Sequence, residues 1–266
     1  MTLDDLLARL WRGYVEITPQ AARIHALLEQ RGERIENDHI ALRTYGVPGV
    51  DLEAVAEPFC ARGYREGGAY SFPEKRLRAR HYEHPEPGRP KVFVSELEVG
   101  ALSAEAAAAV RRLVAAAPGV AERADFPACG RPWPADFTTY EMLARESEYA
   151  AWVAAFGFRA NHFTVDVGAL ETLPDLSSLT ALLAEHGFAL NEQGGVIKGS
   201  PAVHLEQSAT LADEVEVEFS DGRFRVPSCY YEFARRYRLP TGETFQGFVP
   251  ASADRLFEST DRRGSR

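Results

Sequence analysis

The chain has 266 residues, 45% of them hydrophobic, and a formal net charge of −9. This is enough to bury a sizeable core in one large domain or two small ones. The acidic balance, without a basic block, argues against nucleic-acid binding. No window approaches 18 uncharged apolar residues, and residues 1–10 lack a basic start followed by an apolar run. We therefore expect no membrane span and no signal peptide.

The three cysteines, Cys60, Cys129 and Cys229, include no C-x-x-C pair. An odd number of cysteines without such spacing is a poor disulfide framework. The pattern favours reduced thiols and a cytoplasmic location.

The first half of the chain predicts a helix followed by an α/β module. Residues 2–30 have leucines at helical spacing and make up most of an N-terminal helix region, 1–35. Residues 36–100 predict a strand, a helix and three strands. The predicted elements are a strand at 38–45, a helix at 51–62 and strands at 64–72, 77–83 and 91–99.

The second half repeats this order after a helical connection at 101–157. The connection has helices at 103–117 and 136–156, separated by a loop rich in proline and glycine. The second module and C-terminal segment span 158–260. Its predicted elements are a strand at 161–167, a helix at 176–186 and strands at 188–192, 201–208, 214–219 and 223–232. We therefore predict an α+β fold of two βαβββ modules within a single catalytic domain, 1–266.

A histidine stands at the head of the first strand in each module. His39 begins the run His-Ile-Ala-Leu-Arg, and His162 begins His-Phe-Thr-Val-Asp. Matching strands could bring both imidazoles to one metal ion, and Glu232, which lies among aromatic residues, is the best third ligand. Two histidines and one carboxylate form the facial set that leaves positions open on Fe(II). A fourth ligand from Glu96 or Glu98 is an open alternative, as are ordinary hydrogen-bonded roles for the histidines.

Arg43 and Gln207 are candidates for substrate binding. Arg43 shares a strand face with His39 and could bind a carboxylate through two parallel hydrogen bonds, although an ordinary salt bridge is equally compatible with its position. Gln207 lies in a predicted strand and could face the same cavity. The sequence contains no nucleophile elbow, phosphate-binding loop or dinucleotide fingerprint.

Several phrases resemble the 2-oxoadipate dioxygenase/decarboxylase family, which is related to the vicinal-oxygen-chelate fold. The matching phrases occur in order from about residue 36 to residue 260. They are DHIALRTY at 38–45, NHFT at 161–164, LEQSAT at 205–210, YEFARR at 231–236 and LFEST at 256–260. Together they are specific, whereas each one alone is weak.

The resemblance implies an Fe(II) enzyme that converts 2-oxoadipate and O2 to 2-hydroxyglutarate and CO2, as in bacterial lysine catabolism. It implies His39, His162 and Glu232 as metal ligands and Arg43 as the residue that binds a substrate carboxylate. Because the chain is much shorter than the well-described bacterial members, the exact 2-oxo acid stays open. The rival functions are a divalent-metal isomerase or lyase of the vicinal-oxygen-chelate type and a small-molecule-binding protein of the same fold.

Overall fold

The computed structural model describes residues 1–250, and this part contains seven α-helices and ten β-strands. The helices are α1 (Leu3–Val15), α2 (Pro19–Gln30), α3 (Leu52–Cys60), α4 (Ala104–Ala115), α5 (Phe137–Glu146), α6 (Glu148–Phe156) and α7 (Leu176–Glu185). The strands are β1 (Asn37–Tyr45), β2 (Arg65–Phe72), β3 (Leu77–Glu83), β4 (Lys91–Leu97), β5 (Ala160–Asp166), β6 (Lys198–Ser200), β7 (Leu205–Ala209), β8 (Glu214–Phe219), β9 (Gly222–Pro227) and β10 (Glu232–Arg236).

Eight strands form one mixed sheet in the order β2-β3-β4-β1-β5-β10-β7-β6, and β8 and β9 form a separate hairpin. The first module is β1–α3–β2–β3–β4, and the second repeats it as β5–α7–β6–β7–β10. In each module the first strand pairs in parallel with the last. The two first strands, β1 and β5, pair antiparallel at the centre. The predicted pair of βαβββ modules is therefore confirmed.

The core lies around the central strands, which are buried along almost their whole length. Helix α6 is buried from Tyr149 to Phe156 and packs against β1. Burial on all sides explains why its sequence is almost continuously apolar. None of the helices within residues 1–250 has both the length and the apolar character needed to cross a membrane.

Two helices predicted as continuous are each broken in the structure. The N-terminal helix stops after Val15, and α2 starts at Pro19, because proline has no N–H to donate and disfavours helical backbone in the residue before it. The helix predicted at 136–156 breaks at Ser147, whose backbone is extended at φ −148°. Its hydroxyl accepts a hydrogen bond from the Ala150 amide and so begins α6.

Three strand predictions in the second module were wrong in extent. The run 188–192 makes only an isolated bridge at Leu190, because Asn191 accepts a hydrogen bond from the Gln193 amide and turns the chain. The run 201–208 begins as a helical turn, with His204 in left-handed backbone at φ 61° rather than in a strand. The run 223–232 divides into β9 and β10 after Pro227. The LFEST segment at 256–260, and with it the end of the second module, lies outside the described residues.

Candidate metal centre

His39, His162 and Glu232 meet on one face of the central sheet. In the β1–β5 pair, His39 lies opposite Thr164, and Glu232 in β10 lies beside Thr164 on its other side. His39 Nε2 is 3.6 Å from one Glu232 carboxylate oxygen, and His162 Nε2 is 3.3 Å from the other. One ligand atom from each of the three residues lies within 4.8 Å of the others. The three predicted ligands are therefore brought together.

The second nitrogen of each imidazole is held by the residue that precedes the histidine. His39 Nδ1 donates to the Asp38 carboxylate at 2.7 Å, and His162 Nδ1 donates to the Asn161 side-chain oxygen at 3.1 Å. Because these partners accept a proton at Nδ1, the lone pair of each ring is at Nε2, toward Glu232. Metal-binding histidines are oriented in the same way in known sites.

The site is deeply buried, which disfavours charge on its members. His39, His162 and Glu232 are 2%, 6% and 1% exposed. Burial raises the pKa of Glu232. Burial, with His39 and Arg43 nearby, holds the pKa of His162 well below its usual value. A neutral His162 imidazole beside a buried carboxylate suits a bound cation, which would compensate the carboxylate charge.

The donor set fits a metal ion on geometric grounds as well. Ligand atoms at about 2.0–2.2 Å from an ion lie at most about 4.4 Å apart, and the distances from Glu232 to His39 and His162, 3.6 and 3.3 Å, fall within that limit. Two neighbours hold these atoms: the Thr164 hydroxyl lies 3.1 Å from His39 Nε2, and Gln207 donates to Glu232 at 2.6 Å. Two nitrogens and one oxygen can thus hold a divalent metal.

Arg236 links the metal-ligand neighbour Asp38 to the chain that follows β10. Its guanidinium donates to both Asp38 oxygens, at 2.6 and 3.0 Å, and to the carbonyls of Phe245 and Gly247. Burial alone would raise the pKa of Asp38, but Arg236 and the hydrogen bond from His39 outweigh burial and lower the pKa. Asp38 is therefore a carboxylate fixed between a metal ligand and a buried arginine.

A cavity adjoins the three ligands. The Phe248 ring forms one wall and meets the His39 ring edge-on at 4.8 Å between centroids. It also lies under the Arg236 guanidinium, at 5.0 Å. The cavity is lined by His39, Ala41, Arg43, Phe93, Ser95, Asn161, His162, Gln207, Tyr230, Glu232 and Phe248.

Both predicted substrate-binding residues lie in this wall. Arg43 is 2% exposed, and its guanidinium lies between the Tyr149 and Trp152 rings while donating to Glu148 at 3.0 Å. Arg43 therefore lies in the cavity wall and also forms a salt bridge, although the sequence presented these two roles as alternatives. Gln207 also lines the cavity and donates a hydrogen bond to Glu232. It can therefore orient the Glu232 carboxylate whether or not it also contacts a substrate.

Neither Glu96 nor Glu98 joins the three-residue group within residues 1–250. Glu96 pairs with Arg78 and accepts the Leu52 amide, while Glu98 is exposed beyond the end of β4. The register gives the reason. In the second module, Glu232 pairs with Thr164, which lies two residues after His162. In the first module, the residue two positions after His39 is Ala41, and its partner in β4 is Phe93. The fourth-ligand hypothesis is therefore wrong for both glutamates.

The sequence reasoning missed three parts of the site: the Asp38–Arg236 pair, the Phe93 and Phe248 walls, and Tyr230. The sequence did contain a signal for Asp38. A residue whose side chain can accept a hydrogen bond precedes each histidine: Asp38 in the first module and Asn161 in the second. The aromatic walls had no such signal, because Phe248 reaches the cavity only through the path of the chain after β10.

Comparison with known proteins identifies the family. The model of the family described as 2-oxoadipate dioxygenase/decarboxylase matches residues 7–124 and 119–246. The chain belongs to this family. A relative from Arabidopsis thaliana, 2-oxoadipate dioxygenase/decarboxylase, chloroplastic, is 36% identical over 250 residues, which cover 84% of this chain and 67% of the relative.

Two solved structures are similar along almost the whole chain. Hydroxyglutarate synthase from Oryza sativa, in complex with 2-oxoadipate, is 29% identical with a TM-score of 0.91, over 98% of this chain and 93% of that chain. A Shewanella frigidimarina protein, assigned provisionally as a hydrolase, is 47% identical with a TM-score of 0.89, over 93% of this chain and 97% of that chain. The predicted vicinal-oxygen-chelate-like fold is confirmed.

Proposed function

We propose that this protein is an Fe(II)-dependent dioxygenase/decarboxylase. Its substrate would be a 2-oxo dicarboxylic acid, with 2-oxoadipate and O2 giving 2-hydroxyglutarate and CO2. The observation that carries the proposal is the buried His39, His162 and Glu232 group in a member of this family. The relative bound to 2-oxoadipate matches this chain over nearly its full length, so the short chain is no obstacle to that substrate.

The residues of the site have separable roles in this proposal. His39, His162 and Glu232 would hold Fe(II), which would supply Lewis-acid and redox chemistry for a 2-oxo acid and O2. Arg43 would bind a substrate carboxylate, and its charge opposes the repulsion that a net charge of −9 exerts on an anion. Phe93 and Phe248 would exclude water from the reacting groups.

The ligand set supports this proposal over the rival metal enzyme. We expect an isomerase or lyase of the same fold to use Glu96 or Glu98 as a fourth ligand, and neither joins the three ligands within residues 1–250. A binding protein would have no need for three converging metal donors. We also propose a cytoplasmic location and a role in lysine breakdown; both derive from the cysteine pattern and the family resemblance.

The test is O2 consumption with 2-oxoadipate, with and without Fe(II), followed by product analysis. We expect uptake that requires Fe(II), with one CO2 and one 2-hydroxyglutarate for each O2. No uptake with any of several 2-oxo acids would overturn the oxygenase proposal.

A variant pair tests the metal site independently of turnover. His162→Ala should lose bound iron, whereas His25→Ala, which removes a partly exposed histidine on α2, should retain it. Full iron stoichiometry in His162→Ala would exclude the site.

A further inference from the structure

Tyr230 presents a buried hydroxyl to the cavity. The residue is completely buried, lines the cavity and lies two positions before Glu232. Its hydroxyl has no hydrogen-bond partner anywhere in residues 1–250. A buried polar group left without a partner costs about 1–3 kcal/mol, so each such group requires an explanation.

The position of the Tyr230 ring is fixed from two sides. The ring stacks on the imidazole of His162, with centroids 4.8 Å apart and planes 27° apart. The Tyr230 carbonyl accepts a hydrogen bond from the Tyr14 hydroxyl at 2.6 Å. These contacts would hold a phenylalanine equally well, because none of them uses the Tyr230 hydroxyl.

The charges around the hydroxyl indicate its ligand. Arg43 and Glu232 are the charged residues that line the cavity together with Tyr230. A tyrosine hydroxyl can donate one hydrogen bond. Glu232 accepts a hydrogen bond from Gln207. Arg43, which also donates to Glu148, is the cation in the cavity lining and can attract an anionic oxygen.

We propose that the Tyr230 hydroxyl donates a hydrogen bond to the distal carboxylate of a bound 2-oxo dicarboxylic acid, beside the Arg43 guanidinium. This assignment rests on the proposed function and adds a second residue to the anchor for that carboxylate. Tyr230 would thus help to select a dicarboxylic over a monocarboxylic 2-oxo acid, since a site left with an unpaired buried donor discriminates against a ligand that lacks the acceptor.

The test compares Tyr230→Phe with Tyr231→Phe. Tyr231 is also completely buried with an unpartnered hydroxyl, but it packs against Trp11, Tyr14 and Phe233 and does not line the cavity. Binding is measured by calorimetry on iron-loaded protein without O2. The probes are 2-oxoadipate and 2-oxohexanoate, in which a methyl group replaces the distal carboxylate.

We expect Tyr230→Phe to raise the Kd for 2-oxoadipate by about 10- to 100-fold, the range for a hydrogen bond to a charged group. Its Kd for 2-oxohexanoate should stay within about twofold of wild type, and Tyr231→Phe should change neither value. The Tm of Tyr230→Phe should equal or exceed that of wild type, because the variant removes an unpartnered hydroxyl from the interior.

An unchanged Kd for 2-oxoadipate, or an equal loss for both ligands, would overturn the assignment of Tyr230 alone. A matching loss in Tyr231→Phe, or a lowered Tm, would show a structural role and overturn it as well. Wild-type protein that binds no 2-oxo acid would overturn both this assignment and the proposed function.

Discussion

The residues before the two histidines permit a reciprocal test of the metal centre. Asp38 and Asn161 hold equivalent positions and each accepts the Nδ1 proton of the following histidine. A carboxylate partner increases the basicity of a histidine ligand more than an amide does. Asp38→Asn should therefore weaken metal binding, and Asn161→Asp should strengthen it.

The expected magnitudes follow from these contacts. Loss of such a neighbour typically reduces metal affinity by about 10- to 100-fold, and we expect this range for Asp38→Asn. The same change leaves the Arg236 guanidinium, whose side chain is 6% exposed, opposite a neutral amide, which can lower the free energy of unfolding by up to about 3–5 kcal/mol. Asn161→Asp should tighten binding by up to about 10-fold and destabilise the metal-free protein, because it buries a second carboxylate without its cation.

Competition with a chromophoric chelator, under anaerobic conditions, measures the metal affinity, and urea unfolding measures stability. The double variant Asp38→Asn, Arg236→Gln separates the two effects, since it removes the unpaired cation. It should recover part of the stability lost in Asp38→Asn but none of the metal affinity. Unchanged affinity in Asp38→Asn, or a shift of both single variants in the same direction, would refute the reasoning.

Three further variants separate substrate binding, stability and access. Arg43→Met should keep full metal stoichiometry while raising the Kd for 2-oxoadipate by about 10- to 100-fold in equilibrium titration; an unchanged Kd would contradict its role. Glu96→Gln should lower the free energy of unfolding by about 1–3 kcal/mol, because Arg78 and the Leu52 amide lose a charged acceptor. Its metal content, read by atomic absorption, should not change, and a loss would revive the fourth-ligand hypothesis. Phe248→Ala should lower the free energy of unfolding by about 3 kcal/mol and raise the KM for 2-oxoadipate. An unchanged KM would show that Phe248 does not shape the substrate cavity.

The sequence predicted the elements that rely on local patterns. Alternation predicted β1 and β5, and the helices predicted at 51–62 and 176–186, each followed by a glycine, occur as α3 and α7. It failed where one residue interrupts a longer pattern, as Pro19 and Ser147 do. It also joined β9 to β10, although residues 228–231 between them carry Tyr230 into the cavity wall. The division into segments and the single domain of 1–266 stay predictions.

The three predicted metal ligands lie together, but sequence alone could not show which residue of the first module corresponds to Glu232. The prediction gave Glu96 or Glu98, both within the strand predicted at 91–99, as the first-module counterpart of Glu232. Equivalence depends on register, and a shift of one residue moves a side chain to the opposite face of the sheet. Only the pairing of β4 with β1, and of β10 with β5, identifies Phe93 as the counterpart of Glu232.

This register also makes the two modules electrostatically unequal. In the first module, Arg43 lies two residues after Ala41; in the second, Asp166 lies two residues after Thr164. Arg43 lines the cavity, whereas Asp166 turns to accept the Gly168 amide at 2.8 Å. On the proposed function, an anionic substrate would be attracted to the first module, where Phe93 occupies the position that Glu232 holds in the second. The duplicated fold thus places at the cavity a histidine from each half, the Glu232 carboxylate from the second half alone, and the Arg43 cation from the first.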